Sequence, residues 1–175
     1  MTNKQFINAL ANGSVDVLAL AIGTLEELKA PYCVIGGLAV NAYAEPVVSL
    51  DLDLVVGESF LDGFCAAAEE RGFSIEHFPN SINLNSAHSD LRIQLQTDPR
   101  YQAFLARAVS RHVLGYALHV AQIEDVLAGK SWAYLDASRR PSKRQKDLAD
   151  IMRLVEAEPD LGQRLPEEVK KAIPR

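Results

Sequence analysis

The sequence has few of the residues that mark disulfide-stapled or zinc-binding proteins. Only two of its 175 residues are cysteines, Cys33 and Cys65, and both lie in apolar segments without Cys-x-x-Cys spacing. No histidine stands at a zinc-ligand interval from either of them. We therefore predict two buried free thiols in a cytoplasmic protein, where thiols stay reduced.

Long apolar runs and an excess of positive charge are also absent. No stretch reaches the roughly 18 uninterrupted apolar residues of a membrane-crossing helix, and polar residues break the apolar stretch near the start, so neither an anchor nor a signal peptide is expected. Eighteen lysines and arginines against 23 aspartates and glutamates give a net charge of -5. Such a chain does not attract nucleic-acid phosphates as a whole, although a local basic patch still can.

What the sequence does contain is an alternation of strand and helix patterns followed by a helical end. This order predicts an α+β fold, a mixed β-sheet flanked by helices, in a single domain with its core at about residues 14–121 and a helical C-terminal extension at about 122–175. We predict helices at 17–28 with Ser14 as N-cap, 38–44, 58–71, 101–107, 122–134 and 142–156. We predict strands at 32–35, 47–56, 73–78, 82–84 and 90–96, and a hairpin within 111–121.

One carboxylate pair stands out on the second predicted strand. Asp51 and Asp53 are one residue apart, so both side chains lie on the same face of the strand. Two like charges at this range repel each other unless a cation lies between them, and a site of oxygen ligands suits Mg²⁺ or Mn²⁺. The alternative is a strand start at Asp51 and a solvent-facing Asp53 on an edge strand, but the apolar residues around Asp53 make an unpartnered carboxylate costly there.

A glycine pair precedes this strand. Gly36 and Gly37 follow the strand at 32–35 and open the next helix, so their backbone N–H groups can receive an anion. A purely structural turn would need the same glycines. The combination with the carboxylate pair downstream is more specific than either feature alone.

The segment from Val34-Ile35-Gly36-Gly37 to the strand that begins Asp51-Leu52-Asp53 resembles the nucleotidyltransferase superfamily of the DNA polymerase β type. More narrowly, residues 37–43 resemble the AbiEii-type minimal nucleotidyltransferases of phage-defence and toxin–antitoxin operons. Residues 90–94 match the strand that carries a third carboxylate in this superfamily. Residues 143–151 are similar to the Lys-Asp-x-x-Asp helix of the AbiEii branch.

The resemblance implies transfer of an NMP unit from an NTP to a hydroxyl of a protein or RNA acceptor, with two Mg²⁺ or Mn²⁺ ions. Gly36 and Gly37 would then cradle the triphosphate. Asp51, Asp53 and Asp90 would bind the metal ions, and Asp90 would also help to deprotonate the acceptor. Such a mechanism agrees with the physical demands of phosphoryl-type transfer, which are positioning and charge neutralisation.

The C-terminal helix offers further candidates for nucleotide binding, with two interpretations left open. Lys143, Lys146 and Asp147 either reach the nucleotide or form weak pairs on a solvated helix face. Lys130 is a weaker candidate of the same kind. The basic residues between 139 and 146 could hold an RNA acceptor, or they are simply solvated.

A rival hypothesis is a non-catalytic binding module, such as an antitoxin or an operon partner that keeps the fold without turnover. This hypothesis is based on the segment Val47-Val48-Ser49, where many relatives carry an arginine that contacts phosphate. The partner in that case would be a cognate toxin or antitoxin protein.

Overall fold

The computed structural model describes residues 2–174 and is built on a seven-stranded mixed sheet. The strands are β1 (Tyr32–Ile35), β2 (Asp51–Val56), β3 (Phe73–Phe78), β4 (Ser81–Ser86), β5 (Ser89–Gln96), β6 (Val109–Val113) and β7 (Tyr116–Val120). The α-helices are α1 (Asn3–Leu10), α2 (Val17–Glu27), α3 (Gly36–Val40), α4 (Leu61–Glu70), α5 (Ile123–Leu135), α6 (Pro141–Ala157) and α7 (Glu167–Ala172). Three 3-10 segments lie at 58–60, 99–107 and 159–164. The predicted α+β class, a mixed sheet flanked by helices, is confirmed.

The sheet order is β3-β4-β5-β2-β1-β7-β6, which places β2 near the middle. On one side β2 runs antiparallel to β1, and on the other it runs parallel to β5. The inner positions Leu52 and Leu54 of β2 are fully buried, as expected of a central strand. Their neighbours Asp51 and Asp53 therefore lie on the opposite face of the sheet.

Helices α3, α5 and α6 lie over that opposite face. The short helix α3 packs against β1 and β2 and also contacts α5 and α6, which pack closely on each other. The apolar side of α6 is buried through Leu148, Ile151 and Leu154. This packing holds the polar side of α5 and α6 over the carboxylate pair. No helix in residues 2–174 is long and apolar enough to cross a membrane.

Several predicted boundaries shift, each for a local reason. Helix α2 is capped by Asp16 rather than Ser14, because the Asp16 carboxylate accepts a hydrogen bond from the Ala19 N–H at 3.0 Å. The helix after the glycine pair ends at Val40 instead of residue 44, since the Asn41 side chain donates to the Val47 carbonyl and accepts from the Val47 N–H, at 2.7 and 2.9 Å.

The two hydrogen bonds between Asn41 and Val47 also explain why β2 starts later than predicted. Residues 45–50 form a loop, and the strand begins at Asp51 rather than at residue 47. Val47 and Val48 are 52% and 53% exposed, so the apolar pair that favoured an earlier strand start lies on the surface.

Candidate functional site

The site is built on two parallel neighbouring strands. In their register Asp51 lies opposite Arg92, and Asp53 lies opposite Gln94. The Arg92 guanidinium is close enough to Asp51 to form an ion pair, with Nη2 at 2.7 Å from Oδ1. Asp51 and Asp53 are both half-buried, so each carboxylate is partly shielded from water and still lines the open space over the sheet.

The glycine pair closes one side of this arrangement. Gly36 has a φ of 70°, in the left-handed region that favours glycine. A Cβ placed on Gly36 would lie 2.9 Å from Cγ of Asp53, which is closer than side-chain packing permits. The glycine is therefore required both by the backbone turn and by the approach of Asp53.

An open pocket lies over the carboxylates, between the sheet and helices α5 and α6. It is lined by three acidic side chains and five basic ones, together with polar groups from the sheet and the glycine turn. The acidic residues are Asp51, Asp53 and Asp147, and the basic residues are Arg92, Lys130, Arg139, Lys143 and Lys146. The pocket thus presents positive charge opposite a pair of carboxylates, an arrangement suited to a phosphate-bearing ligand with a cation.

Two of the basic residues belong to a buried ion-pair cluster. Lys130 Nζ lies 3.1 Å from Asp147 Oδ1 and 2.7 Å from Asp150 Oδ2, and the three residues are 8%, 2% and 4% exposed. Arg139 Nε also contacts Asp147, at 2.6 Å from Oδ2. Because Asp147 is held by two cations, its role in the structure is to fix Lys130 and Arg139 at the wall of the pocket.

Arg153 extends this cluster to the loop before β2. Its guanidinium lies 2.8 Å from Asp150 Oδ1, and it donates to Asn41 Oδ1 at 2.9 Å and to the Glu45 carbonyl. The same Asn41 oxygen accepts from the backbone that leads into β2. Helix α6 is therefore tied to the segment that delivers the carboxylate pair.

Electrostatics distinguish Asp53 from an ordinary surface aspartate. Burial raises the pKa of Asp53 to about 6, the charge of Lys130 opposes this, and the charge of Asp51 adds to it. Burial lowers the pKa of Lys130, but the nearby Asp150 and Asp147 carboxylates outweigh that effect, so the net change is upward. Lys130 is therefore a cation at neutral pH, and the ionised form of Asp53 would be stabilised by a further cation in the pocket.

A second, more apolar chamber adjoins the open pocket. The two share Asp53, Gln94, Lys130, Arg139 and Asp147 as lining residues. The chamber is further lined by Ile35, Gly36, Gln96, Tyr101, Phe104, Asp125, Val126, Gly129 and Ala133. Trp132 packs against the two aromatic rings of this chamber. The centroid of its ring lies 5.2 Å from that of Tyr101 and 5.7 Å from that of Phe104. Trp132 thus serves packing.

Comparison with known proteins identifies the fold. Neither a protein-family model nor a curated protein sequence matches this chain. Among solved structures, antibiotic-resistance factor ANT(2'')-Ia in complex with adenylyl-2''-tobramycin is similar with a TM-score of 0.63 and 17% identity, over 89% of this chain and 94% of the other. The solution structure of the same factor gives a TM-score of 0.60 at 15% identity, over 89% and 88% of the two chains.

A different enzyme gives the same result. The lincomycin-bound lincosamide antibiotic adenylyltransferase LnuA is similar with a TM-score of 0.57 and 12% identity, over 81% of this chain and 98% of the other. The chain has a nucleotidyltransferase fold. At these identities the likeness establishes the architecture, and the chemistry rests on the residues of the site.

Within the nucleotidyltransferase fold, most of the site residues expected from the sequence come together. Gly37, Asp51, Asp53, Lys143, Lys146 and Asp147 line the open pocket, and Gly36 lines the adjoining chamber. Lys143 and Lys146 have no ion-pair partner between residues 2 and 174, so their charges are available to a ligand. Asp147 faces the same space, although its carboxylate is engaged by Lys130 and Arg139.

Asp90 is the residue that the structure does not bring to this group. It lies two positions before Arg92 on β5, about 7 Å farther along the strand, and it lines neither the open pocket nor the chamber. Its Oδ2 instead accepts a hydrogen bond from Asn12 Nδ2 at 2.6 Å, beyond the end of α1. The geometry places Asp90 in a tie between β5 and the segment after α1.

Strands β4 and β5 contribute three polar residues to the open pocket that were not predicted from the sequence as site residues. The alternation of β5 places Arg92 and Gln94 on its polar face, but only the parallel register with β2 puts them beside Asp51 and Asp53. Asn83 on β4 is paired with Gln94, and its buried Oδ1 has no hydrogen-bond partner within residues 2–174. An unpartnered buried oxygen facing a pocket is a signal of ligand binding that a sequence cannot supply.

A divalent cation fits the donor set at Asp51 and Asp53. Carboxylate oxygens on one face of a strand are the ligands that Mg²⁺ and Mn²⁺ prefer. Within residues 2–174 no three His, Cys, Asp or Glu side chains form a ready ligand cluster. The remaining ligands of an ion at this pair would come from a nucleotide phosphate and from water.

Proposed function

We propose that this protein is a nucleotidyltransferase that moves an NMP unit from a Mg·NTP complex to a hydroxyl of its acceptor. The observation that carries the proposal is the Asp51 and Asp53 pair, which shares an open pocket with a glycine turn and with Lys143 and Lys146. Two carboxylates alone would repel a triphosphate. Together with a divalent ion and the lysines, they become a site for one.

Each part of the pocket has a place in this reaction. Gly37 and the turn around Gly36 let the triphosphate approach the backbone closely, while Lys143 and Lys146 neutralise its charge. Asp51 and Asp53 would hold Mg²⁺ or Mn²⁺, which supplies charge neutralisation on the reacting phosphate when bound. The chamber beside Tyr101 and Phe104 has the flat apolar walls that suit a nucleobase.

The transfer step follows from that placement. The acceptor oxygen attacks the α-phosphorus and forms the new P–O bond, while the bond from this phosphorus to the bridging oxygen of the pyrophosphate breaks. Pyrophosphate leaves with the electron pair, and the hydroxyl proton is released to solvent. Asp90 is included in this step only by the resemblance, because its side chain is engaged by Asn12.

Because of the charge of the pocket, we propose that the acceptor is RNA rather than protein. Five basic side chains line the pocket against three acidic ones, and Lys143 and Lys146 have no ion-pair partner within residues 2–174. Arg140 and Arg144 lie on the same stretch of α6 and its entry. A polyanion gains from these charges. Tobramycin, which ANT(2'')-Ia carries in adenylylated form, is polycationic and would be repelled by them.

The AbiEii branch and a role in a toxin–antitoxin or phage-defence system are part of the same proposal. Their support is the similarity of residues 37–43 and of the segment 143–151 to that branch. In this segment Lys146 faces the pocket, and Asp147 and Asp150 hold Lys130. An adjacent gene for a cognate toxin or antitoxin would support this role.

The proposal is tested by incubating the purified protein with each labelled NTP, Mg²⁺ and one acceptor class at a time. The classes are tRNA, other RNA, a protein extract, and the antibiotics tobramycin and lincomycin. We expect label in RNA, and none with the Asp51→Asn, Asp53→Asn double variant. Absence of transfer to every class, together with absence of Mg·NTP binding by calorimetry, would contradict the proposal.

One observation favours the rival function, a binding module without turnover. Asp51 is already paired with Arg92, and within residues 2–174 no third acidic side chain completes a metal-ligand cluster with Asp51 and Asp53. A cognate toxin or antitoxin protein would be its partner. In that case the double variant keeps its partner binding, whereas an enzyme loses its transfer activity.

A further inference from the structure

The positively charged Arg92 side chain lies beside Asp51, where a site for two metal ions needs an anionic ligand. Two divalent ions a few ångströms apart are normally shared between several carboxylates, because each ion needs anionic oxygens to offset the repulsion from the other. Here β5 presents Arg92 and Gln94 to the pair, and neither can ligate as an anion. The nearest acidic residue on that strand, Asp90, is engaged by Asn12.

Arg92 also occupies one of the oxygens that a metal would use. Its Nη2 lies 2.7 Å from Asp51 Oδ1, so that oxygen is partly neutralised. A second divalent ion at this oxygen would meet the guanidinium at short range, and like charges at such distances repel strongly in a partly buried site. Asp51 Oδ2 and the Asp53 carboxylate are left for a single ion.

The Arg92 side chain is well placed to act on a ligand as well as on Asp51. It is 65% exposed and lines the open pocket, so the guanidinium is within reach of an acceptor or phosphate bound there. A guanidinium carries a permanent charge and several donors in a fixed plane, which suits phosphate oxygens.

We propose that this site works with one divalent ion, held by Asp51 and Asp53, and that the Arg92 guanidinium takes the place of the second ion. The inference rests on the proposed nucleotidyl transfer and deepens it. Arg92 competes with the metal for Asp51 in the free protein, and in the loaded one it holds Asp51 in place and contacts the bound phosphate or acceptor.

The experiment counts ions rather than products. Mn²⁺ is titrated into the full chain with α,β-methylene ATP, which cannot be cleaved at the α-phosphate, and bound Mn²⁺ is counted by electron paramagnetic resonance. We expect one ion per wild-type chain and two for Arg92→Asp, which restores a third carboxylate. Lys171→Asp makes the same charge change at an exposed site on α7 and should stay at one ion.

A milder variant covers the case in which Arg92→Asp does not fold. Arg92→Gln removes the competing charge without adding a ligand. We expect it to bind Mn²⁺ alone about two- to fivefold more tightly than the wild type, while transfer to the acceptor slows. An arginine with only a structural role would weaken both properties together.

The outcomes separate the two proposals. Two Mn²⁺ ions in the wild-type complex, or unchanged Mn²⁺ affinity in Arg92→Gln, would overturn the one-ion inference and leave nucleotidyl transfer standing. No binding of the Mn·nucleotide to the wild type would overturn the proposed function and this inference with it.

Discussion

The carboxylate of Asp53 packs against the α-carbon of Gly36, on the side where any other residue carries its Cβ. This contact joins the two sequence features of the site, the glycine turn and the carboxylate pair, in one place. It also makes the position of Asp53 dependent on a residue that has no side chain.

Gly36→Ala is therefore expected to displace Asp53. The added Cβ would lie 2.9 Å from Asp53 Cγ, and alanine at a φ of 70° is strained. We expect a loss of about 1–3 kcal/mol in the free energy of unfolding and about a 100-fold fall in transfer rate. Gly63→Ala, in an open position of α4, is the control and should stabilise by about 0.5–1 kcal/mol. Urea titration and the transfer assay measure both, and equal behaviour of the two variants would contradict the contact.

The raised pKa of Asp53 predicts how stability depends on pH in the metal-free protein. Burial raises this pKa to about 6 from an ordinary value of 3.8, so the folded state binds the proton more tightly than the unfolded state. The free energy of unfolding should therefore fall as pH rises from about 4 through 6, by roughly 1–3 kcal/mol in total. Asp53→Asn cannot ionise and should lack this fall. Parallel pH profiles for the two proteins, by urea unfolding in EDTA, would refute the prediction.

Lys130 is expected to be essential for folding as well as for the site. Replacing it with methionine leaves Asp147 and Asp150 buried without their shared cation. We expect a loss of about 3–5 kcal/mol in unfolding free energy. Lys170→Met removes an exposed pair with Glu167 and should cost less than about 1 kcal/mol. A thermal unfolding comparison decides this, and a similar melting temperature for both variants would argue against a structural cluster.

Asp90→Asn separates the two roles considered for this residue. The structure gives Asp90 a hydrogen bond to Asn12, so we expect a loss of about 0.5–1.5 kcal/mol in stability with little change in the affinity for Mg·NTP. Isothermal calorimetry on the folded variant measures the affinity. If that affinity were lost, Asp90 would be a metal ligand as the resemblance implies.

Lys146 tests the electrostatic part of nucleotide binding. Lys146→Ala should weaken Mg·NTP binding by about 5- to 20-fold, since the charge faces the pocket and has no ion-pair partner within residues 2–174. The loss should shrink at high salt, because screening reduces what the lysine contributes. Lys171→Ala, on the exposed side of α7, is the matched control. Equal affinities for both variants at low salt would remove Lys146 from the binding site.

The sequence by itself determined most of the local elements and the faces of the strand that carries the site. The strand, glycine turn and helix at residues 32–40 follow from β-branched residues, two glycines and an alanine-rich segment, all of which act over a few residues. The shared face of Asp51 and Asp53 follows from the two-residue period of a strand. The fold class followed from the order of these elements.

Only the tertiary structure decided which residues lie beside Asp51 and Asp53. The parallel register of β2 and β5 placed Arg92 beside Asp51 and left Asp90 with Asn12, and the packing of α5 on α6 buried Lys130 between Asp147 and Asp150. Strand register and helix packing are set by the core as a whole, through contacts between residues far apart in the chain. A local pattern shows which face a side chain lies on, but the partner on that face is chosen by the rest of the fold.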